Sequence, residues 1–230
     1  LGTPNGVSST PYSINSSGEV AGLLNSSSFG LHAFLYSGGT LNDFGPLVGL
    51  NSFATGINDS GEVVGYQYSG TPQAYIYDKG TVAFIGTLGG DRSLAFGVNN
   101  AGQITGWSET AASQPRAFLY TNGVMQNLGT LGAGSYGTAV NDIGDVVGYS
   151  APLGAGQHAF IYTAGAMNDL GTLGGTNSRA LSINHSGQVV GYSDLANSMN
   201  QHAFLYSNGM MIDLETLTST TLYSSEARDQ

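Results

Sequence analysis

Apolar and polar residues alternate in short runs along the whole chain, and the runs recur. Glu62-Val63-Val64-Gly65-Tyr66, Ala117-Phe118-Leu119-Tyr120 and Met211-Ile212-Asp213-Leu214 are β-rich stretches bounded by Asn, Gly and Ser. That pattern predicts short strands joined by tight turns. No segment sustains the three-and-four spacing of an amphipathic helix, so essentially no helix is predicted.

The runs fall into register over the full length. Ile-Asn-x-x-Gly, with Val before Asn in the third and fourth copies, recurs at Asn15, Asn58, Asn99, Asn141 and Asn184, spaced by 43, 41, 42 and 43 residues. Gly18, Gly61, Gly102, Gly144 and Gly187 follow three residues on, and Gly22, Gly65, Gly106, Gly148 and Gly191 four later. Six residues before each Asn stands Ser9, Ser52, Ser93, Ser135 or Ser178. The later half of each unit repeats an Ala-aromatic-Leu/Ile-Tyr strand, beginning at Ala33, Ala74, Ala117, Ala159 and Ala203.

Each unit reads as four strands. The first ends at Ile-Asn, and Asn-x-x-Gly turns the chain because both residues tolerate left-handed backbone. The second carries Val-x-Gly-Tyr, the third Ala-Phe-Leu-Tyr, and a Gly-containing turn leads into the fourth. Four strands and their connections fill about 42 residues, the size of a propeller blade. Alanines that never enlarge mark where sheets approach face to face, since a single four-stranded unit cannot bury both faces. The expected fold is therefore an all-β, five-bladed β-propeller. Its units lie near 4–47, 48–88, 89–131, 132–173 and 174–217, followed by a tail over 218–230. No capping unit is visible, which favours a closed ring over an open stack.

His-Ala-Phe at His32, His158 and His202, with Ile-Asn-x-x-Gly-x-Val-x-Gly-Tyr and Asp169-Leu170-Gly171-Thr172-Leu173-Gly174-Gly175, resembles the bacterial extracellular HAF repeat family. The match runs over the whole chain and is weakest in the second unit, at Gln73-Ala74-Tyr75. The resemblance implies a secreted or surface protein with a propeller-like fold, and it brings no catalytic residues with it.

Composition narrows the function. Five Lys and Arg stand against 15 Asp and Glu, a formal net charge of -10. Nucleic-acid binding and attachment to an anionic membrane both need clustered cations, so neither is expected. No apolar run is long enough to span a bilayer as a helix. Without cysteine there is no disulfide, thiolate metal site or Cys nucleophile.

Four chemistries can be weighed on the residues. The position before Ala holds His32, Gln73, Arg116, His158 and His202. Two of the five cannot ligate as His does, so a hydrogen-bonding strand residue is favoured over a metal ligand. Turn oxygens at Asn58, Asp59 and Glu62, and at Asn141, Asp142 and Asp145, raise calcium as a candidate, set against the favoured reading of solvated turn acids. No cofactor is otherwise expected. Catalysis is not expected: no sequence feature pairs two carboxylates across the ring, and no Gly-x-Ser-x-Gly elbow appears. Tyr66, Trp107, Tyr149 and Tyr192 occupy one repeat position and could stack on sugar rings, but inter-blade core is favoured.

The ends carry surplus repeat pieces. Leu1-Gly2-Thr3 aligns with the close of a fourth strand, at Leu128-Gly129-Thr130, and Ser225-Glu226-Ala227 with the start of a first strand. Leu1, Gly2, Thr3, Leu222, Tyr223, Ser225 and Ala227 are accordingly the assembly candidates. The expected function is a non-enzymatic extracellular structural protein that self-assembles, with a monomeric glycan-binding propeller as the alternative.

Overall fold

The computed structural model of the chain describes residues 8–26, 30–196 and 200–217. Five four-stranded antiparallel sheets follow one another along it, each in simple sequential order. The first comprises β1 (Ser8–Ile14), β2 (Val20–Ser26), β3 (Gly30–Ser37) and β4 (Thr40–Asp43). The second comprises β5 (Ser52–Ile57), β6 (Val63–Ser69), β7 (Thr71–Asp78) and β8 (Thr81–Phe84). The third holds β9 (Gly89–Val98), β10 (Ile104–Thr110), β11 (Pro115–Thr121) and β12 (Val124–Asn127). The fourth holds β13 (Gly132–Val140), β14 (Val146–Pro152), β15 (His158–Thr163) and β16 (Ala166–Gly171). The fifth holds β17 (Gly174–Ile183), β18 (Val189–Leu195), β19 (Gln201–Ser207) and β20 (Met210–Asp213). The helical exceptions among the described residues are a four-residue turn, Gly45–Val48, started by Pro46, and a 3-10 turn at Glu215–Leu217.

The sheets are blades, with the first strand of each against a common channel. Alternation along the third strand assigns the faces. Phe118 packs with Val64 and Ala74 of the preceding blade, and Ala117 with Val146 and Phe160 of the following one. The same large-against-small fit recurs between the fourth and fifth blades, where Phe204 meets Val147 and Ala159. Each fully buried Phe contributes about 1.5–3 kcal/mol through burial, and an alanine opposite is what leaves room for it.

The junction between the fifth and first blades differs from the other four. Each of the first four blades packs on its successor through the first, second and third strands, yet among the described residues the fifth makes no comparable contact with the first. Side-chain exposure records the difference. Ile57 and Ile183 are 7% and 6% exposed against the blade before them, whereas Ile14, at the same repeat position, is 58% exposed.

Candidate functional site

The strongest recurring feature is a belt of asparagines at the channel mouth. In each turn the Asn Oδ1 accepts the backbone N–H groups two and four residues on, as Asn58 does from Ser60 and Glu62. The amide nitrogen then donates twice in the first four turns and, among the described residues, once in the fifth. One bond goes to the side chain four residues on: Glu19, Glu62, Gln103, Asp145 or Gln188. The other crosses to the next blade. Asn15 donates to the Asn58 carbonyl at 3.0 Å, Asn58 to Asn99 at 3.0 Å, Asn99 to Asn141 at 2.8 Å and Asn141 to Asn184 at 3.3 Å. Two acceptor and two donor bonds use the full capacity of a primary amide, which explains why only Asn occupies the position.

A second relay runs beside it. The backbone N–H of Ser16 donates to Asp59 Oδ1, that of Asp59 to Asn100 Oδ1, and that of Asn100 to Asp142 Oδ1. A third joins blades deeper in the structure. Ser52, Ser93, Ser135 and Ser178 are fully buried, and each hydroxyl accepts the N–H of the preceding unit's alanine: Ala33, Ala74, Ala117 or Ala159. Sequence reasoning finds these serines without their role, because the bond runs to an unremarkable backbone N–H 18 or 19 residues earlier.

The calcium candidates sit inside this belt. Asn58, Asp59 and Glu62 share one turn, and Asn141, Asp142 and Asp145 another, but their oxygens are committed to protein donors. Glu62 and Asp145 hold their own Asn amides, while Asp59 and Asp142 accept backbone N–H groups from the preceding blade. The Ser16 N–H, with help from Asn100, keeps Asp59 below the ordinary carboxylate range. Among the described residues no group of three or more His, Asp or Glu is arranged to hold a metal ion. Inward of the belt lies a cavity of about 900 Å³ lined by the first strands, including Tyr12, Ile14, Phe96, Val98, Leu181 and Ile183.

The four glycan candidates are half-buried. Tyr66 stacks on its cross-strand partner Phe53 at 4.7 Å, with the edge of Phe96 near it. Trp107 meets Tyr136 edge-on at 5.6 Å, Tyr136 stacks on Tyr149 at 4.9 Å, and the Arg179 guanidinium lies 4.3 Å from the Tyr149 ring centre. Burial pushes the Tyr66 and Tyr149 hydroxyls up from their ordinary value. Tyr192 pairs with Arg179 across β17 and β18. At Tyr66 and Tyr149 one ring face is therefore taken up by a protein neighbour. The assembly candidates Leu1, Gly2, Thr3, Leu222, Tyr223, Ser225 and Ala227 lie outside the described residues.

The repeated histidines have carboxylate partners. His32 Nδ1 lies 3.0 Å from Asp43, His158 2.8 Å from Asp169 and His202 2.9 Å from Asp213. Each Asp also accepts the backbone N–H two residues on, from Gly45, Gly171 or Glu215, so the pair pins the exit of the fourth strand. Where Arg116 replaces His, the residue 11 positions on is Asn127, which still caps Gly129; where Gln73 replaces it, that residue is Phe84. The matched change is visible within the one chain.

Asp194 gives a pH prediction. Burial would raise its pKa, but bonds from Asn177, Gln201 and Thr176 together hold it below the ordinary 3.8. A carboxyl lowered on folding adds stability above its unfolded pKa and loses it as pH falls through the folded value. NMR titration should show Asp194 ionising below ordinary aspartates, and Asp194→Asn should flatten the dependence of stability on pH from the ordinary aspartate value down to the folded one. An Asp194 that titrates at 3.8 or above would contradict this.

A ring-like series of four-stranded antiparallel blades about a channel defines the β-propeller class. No family model matches the chain, and neither does any curated protein. Solved structures do. TolB from Acinetobacter baumannii is 16% identical with a TM-score of 0.63, covering 92% of this chain and 54% of its own. The β-propeller domain of the Trilobed protease from Pyrococcus furiosus, described as having an open velcro topology, is 8% identical with a TM-score of 0.57, over 93% of this chain and 73% of its own. A triple arginine-to-alanine mutant of AofleA from Arthrobotrys oligospora is 15% identical with a TM-score of 0.52, over 90% and 71%. This chain thus spans about half the length of the TolB chain, and at these identities the likeness shows the fold alone.

Proposed function

We propose that the chain is a non-enzymatic structural repeat protein of the cell surface or extracellular space, and that its copies assemble with one another. One observation carries the reading. The recurring polar side chains of the belt and the serine relay are spent joining one unit to the next. The resemblance to HAF repeats supports the location. The engaged ring faces at Tyr66 and Tyr149 weigh against the glycan-binding alternative.

Sedimentation and electron microscopy of the unmodified protein test the reading. Filaments or sheets with a repeat near one blade-ring thickness are expected. Separate particles at all concentrations would overturn it and make glycan arrays the next measurement. Deleting residues 218–230 tests the connector role read from the sequence: assembly should be lost while the circular dichroism spectrum stays that of the full chain. Assembly that survives the deletion would remove the tail from the account.

A further inference from the structure

The outer hairpin of each blade, between its third and fourth strands, turns on two residues with positive φ. Asn122 and Gly123 have φ of 51° and 85°, and Asn208 and Gly209 have φ of 52° and 80°. The flanking pairs, Thr121 with Val124 and Ser207 with Met210, close a two-residue loop. Positive φ at both positions marks the type I′ hairpin turn, which favours Asn-Gly because both residues accept left-handed backbone. Gly38-Gly39, Lys79-Gly80 and Ala164-Gly165 make the same turn in the other three blades. A further Asn-Gly, Asn5-Gly6, lies outside the described residues.

Asn-Gly carries a reactivity that those three turns lack. The peptide nitrogen after an asparagine can attack the side-chain amide carbon, and a glycine leaves that nitrogen unshielded. Whether the reaction runs depends on both groups being free. In the belt neither is free. The Asn58 amide makes four hydrogen bonds, and the following N–H, that of Asp59, is held by Asn100. Asn15 and Asn99 are tied in the same way, with the N–H groups of Ser16 and Asn100 held by Asp59 and Asp142. The two hairpin tips are the reverse. Asn122, Gly123, Asn208 and Gly209 are exposed, and among the described residues neither amide is hydrogen-bonded and neither glycine N–H donates. Nothing lies within 4 Å of the place a Cβ would take on Gly123 or Gly209, so space for ring closure is open.

We infer that Asn122 and Asn208 are sites of spontaneous covalent modification, each converting through a cyclic imide to aspartate and isoaspartate. Hydroxide removes the Gly123 N–H proton, and the nitrogen forms a bond to Asn122 Cγ. The Cγ–Nδ2 bond breaks, and the departing nitrogen takes a proton from water and leaves as ammonia. One water then adds at either carbonyl of the five-membered imide, which opens to Asp or isoAsp. Each event adds a negative charge to a chain whose formal net charge is already -10. The two products differ in consequence. Asp tolerates left-handed backbone much as Asn does and keeps the turn. IsoAsp puts an extra methylene into the main chain, so the Thr121–Val124 and Tyr120–Met125 pairs cannot both hold register. Met125, which packs against the core around Ile104 and Phe118, is then displaced. Met211 stands in the same relation to Phe204 in the fifth blade.

The test holds the full chain at mildly alkaline pH and maps its peptides by mass spectrometry with electron-transfer fragmentation, which separates Asp from isoAsp. Both products should accumulate at Asn122 and Asn208 several-fold faster than at Asn15, Asn58 or Asn99. The rate at Asn122 should rise in proportion to hydroxide, because the attacking nitrogen must lose its proton. Gly123→Ala, which crowds that nitrogen, should slow Asn122 several-fold and leave Asn208 unchanged in the same molecule. A parallel incubation in urea separates the bonding argument from the identity of the following residue. Unfolding should raise the belt rates several-fold and change the Asn122 rate far less. An Asn122 that stays intact in the folded chain yet reacts in urea would overturn the inference, since the turn would then protect its amide. Belt asparagines that react as fast as Asn122 in the folded chain would overturn it too.

Discussion

Replacing Gly148 with Ala is expected to lower stability by about 3 kcal/mol, although its backbone conformation is open to any residue. The cause is lack of space. Opposite Gly148 the β13–β14 ladder shifts register between Gly137 and Ala139, and that bulge swings the Tyr136 carbonyl toward the glycine. A methyl group there would sit well inside contact distance of the Tyr136 oxygen and close to its carbon and to Gly137 Cα. All of these are backbone atoms, so no side chain can turn aside. Gly65, Gly106 and Gly191 face Phe53, Leu94 and Arg179 carbonyls in the same way, and each should behave alike. The other recurring glycine is needed for a different reason: Gly187 has φ of +76° with nothing within 4 Å of the added carbon. Gly187→Ala should cost about 1–2 kcal/mol, the strain of left-handed backbone alone. Urea unfolding followed through Trp107, the sole tryptophan, measures both. Equal losses at the two positions would refute the distinction.

The repeat, the four strands per unit and the assignment of faces are readable in the sequence, because period-two alternation and the never-enlarged alanines are local signals. Ala117 and Phe118 are adjacent, and their opposite burial partners follow from the pleat alone. What stays hidden is relational. The Asn58 amide reaches a carbonyl 41 residues away, and only coordinates reveal a bond to a backbone group that every residue possesses. Glu62 and Asp145 read as solvated turn acids with calcium as the lesser candidate, because a carboxylate beside an Asn has several uses; in the structure each accepts a bond from its own turn's amide. Ring closure escapes the sequence for a related reason. Repeat count says which blade touches which, but the angle between successive blades decides how many fill a circle, and no residue pattern encodes that angle directly.

Asn58→Asp should cost about 4 kcal/mol at pH 7, more than the chemically identical change at Asn99. Both asparagines are buried, and both keep their turn-forming Oδ1 bonds when the amide becomes a carboxylate. Both lose the amide that reaches the next blade's carbonyl, which leaves two acceptors facing each other. The difference lies four residues on. Asn58 donates to the Glu62 carboxylate, so the new Asp meets a like charge, whereas Asn99 donates to Gln103, whose own amide can turn and donate instead. Asn99→Asp should therefore cost about half as much, and Glu62→Gln should restore much of the Asn58→Asp loss. The pH dependence has a fixed sign. Burial and the neighbouring carboxylate raise the new Asp above its unfolded pKa, so its penalty is absent below that value and grows as pH rises through the folded one. Urea midpoints at pH 4 and pH 7 for the two Asp variants and the Glu62→Gln double variant decide it. A penalty at Asn58 that neither shrinks at pH 4 nor yields to Glu62→Gln would mean that the lost amide bonds, and not the carboxylate pair, set the cost.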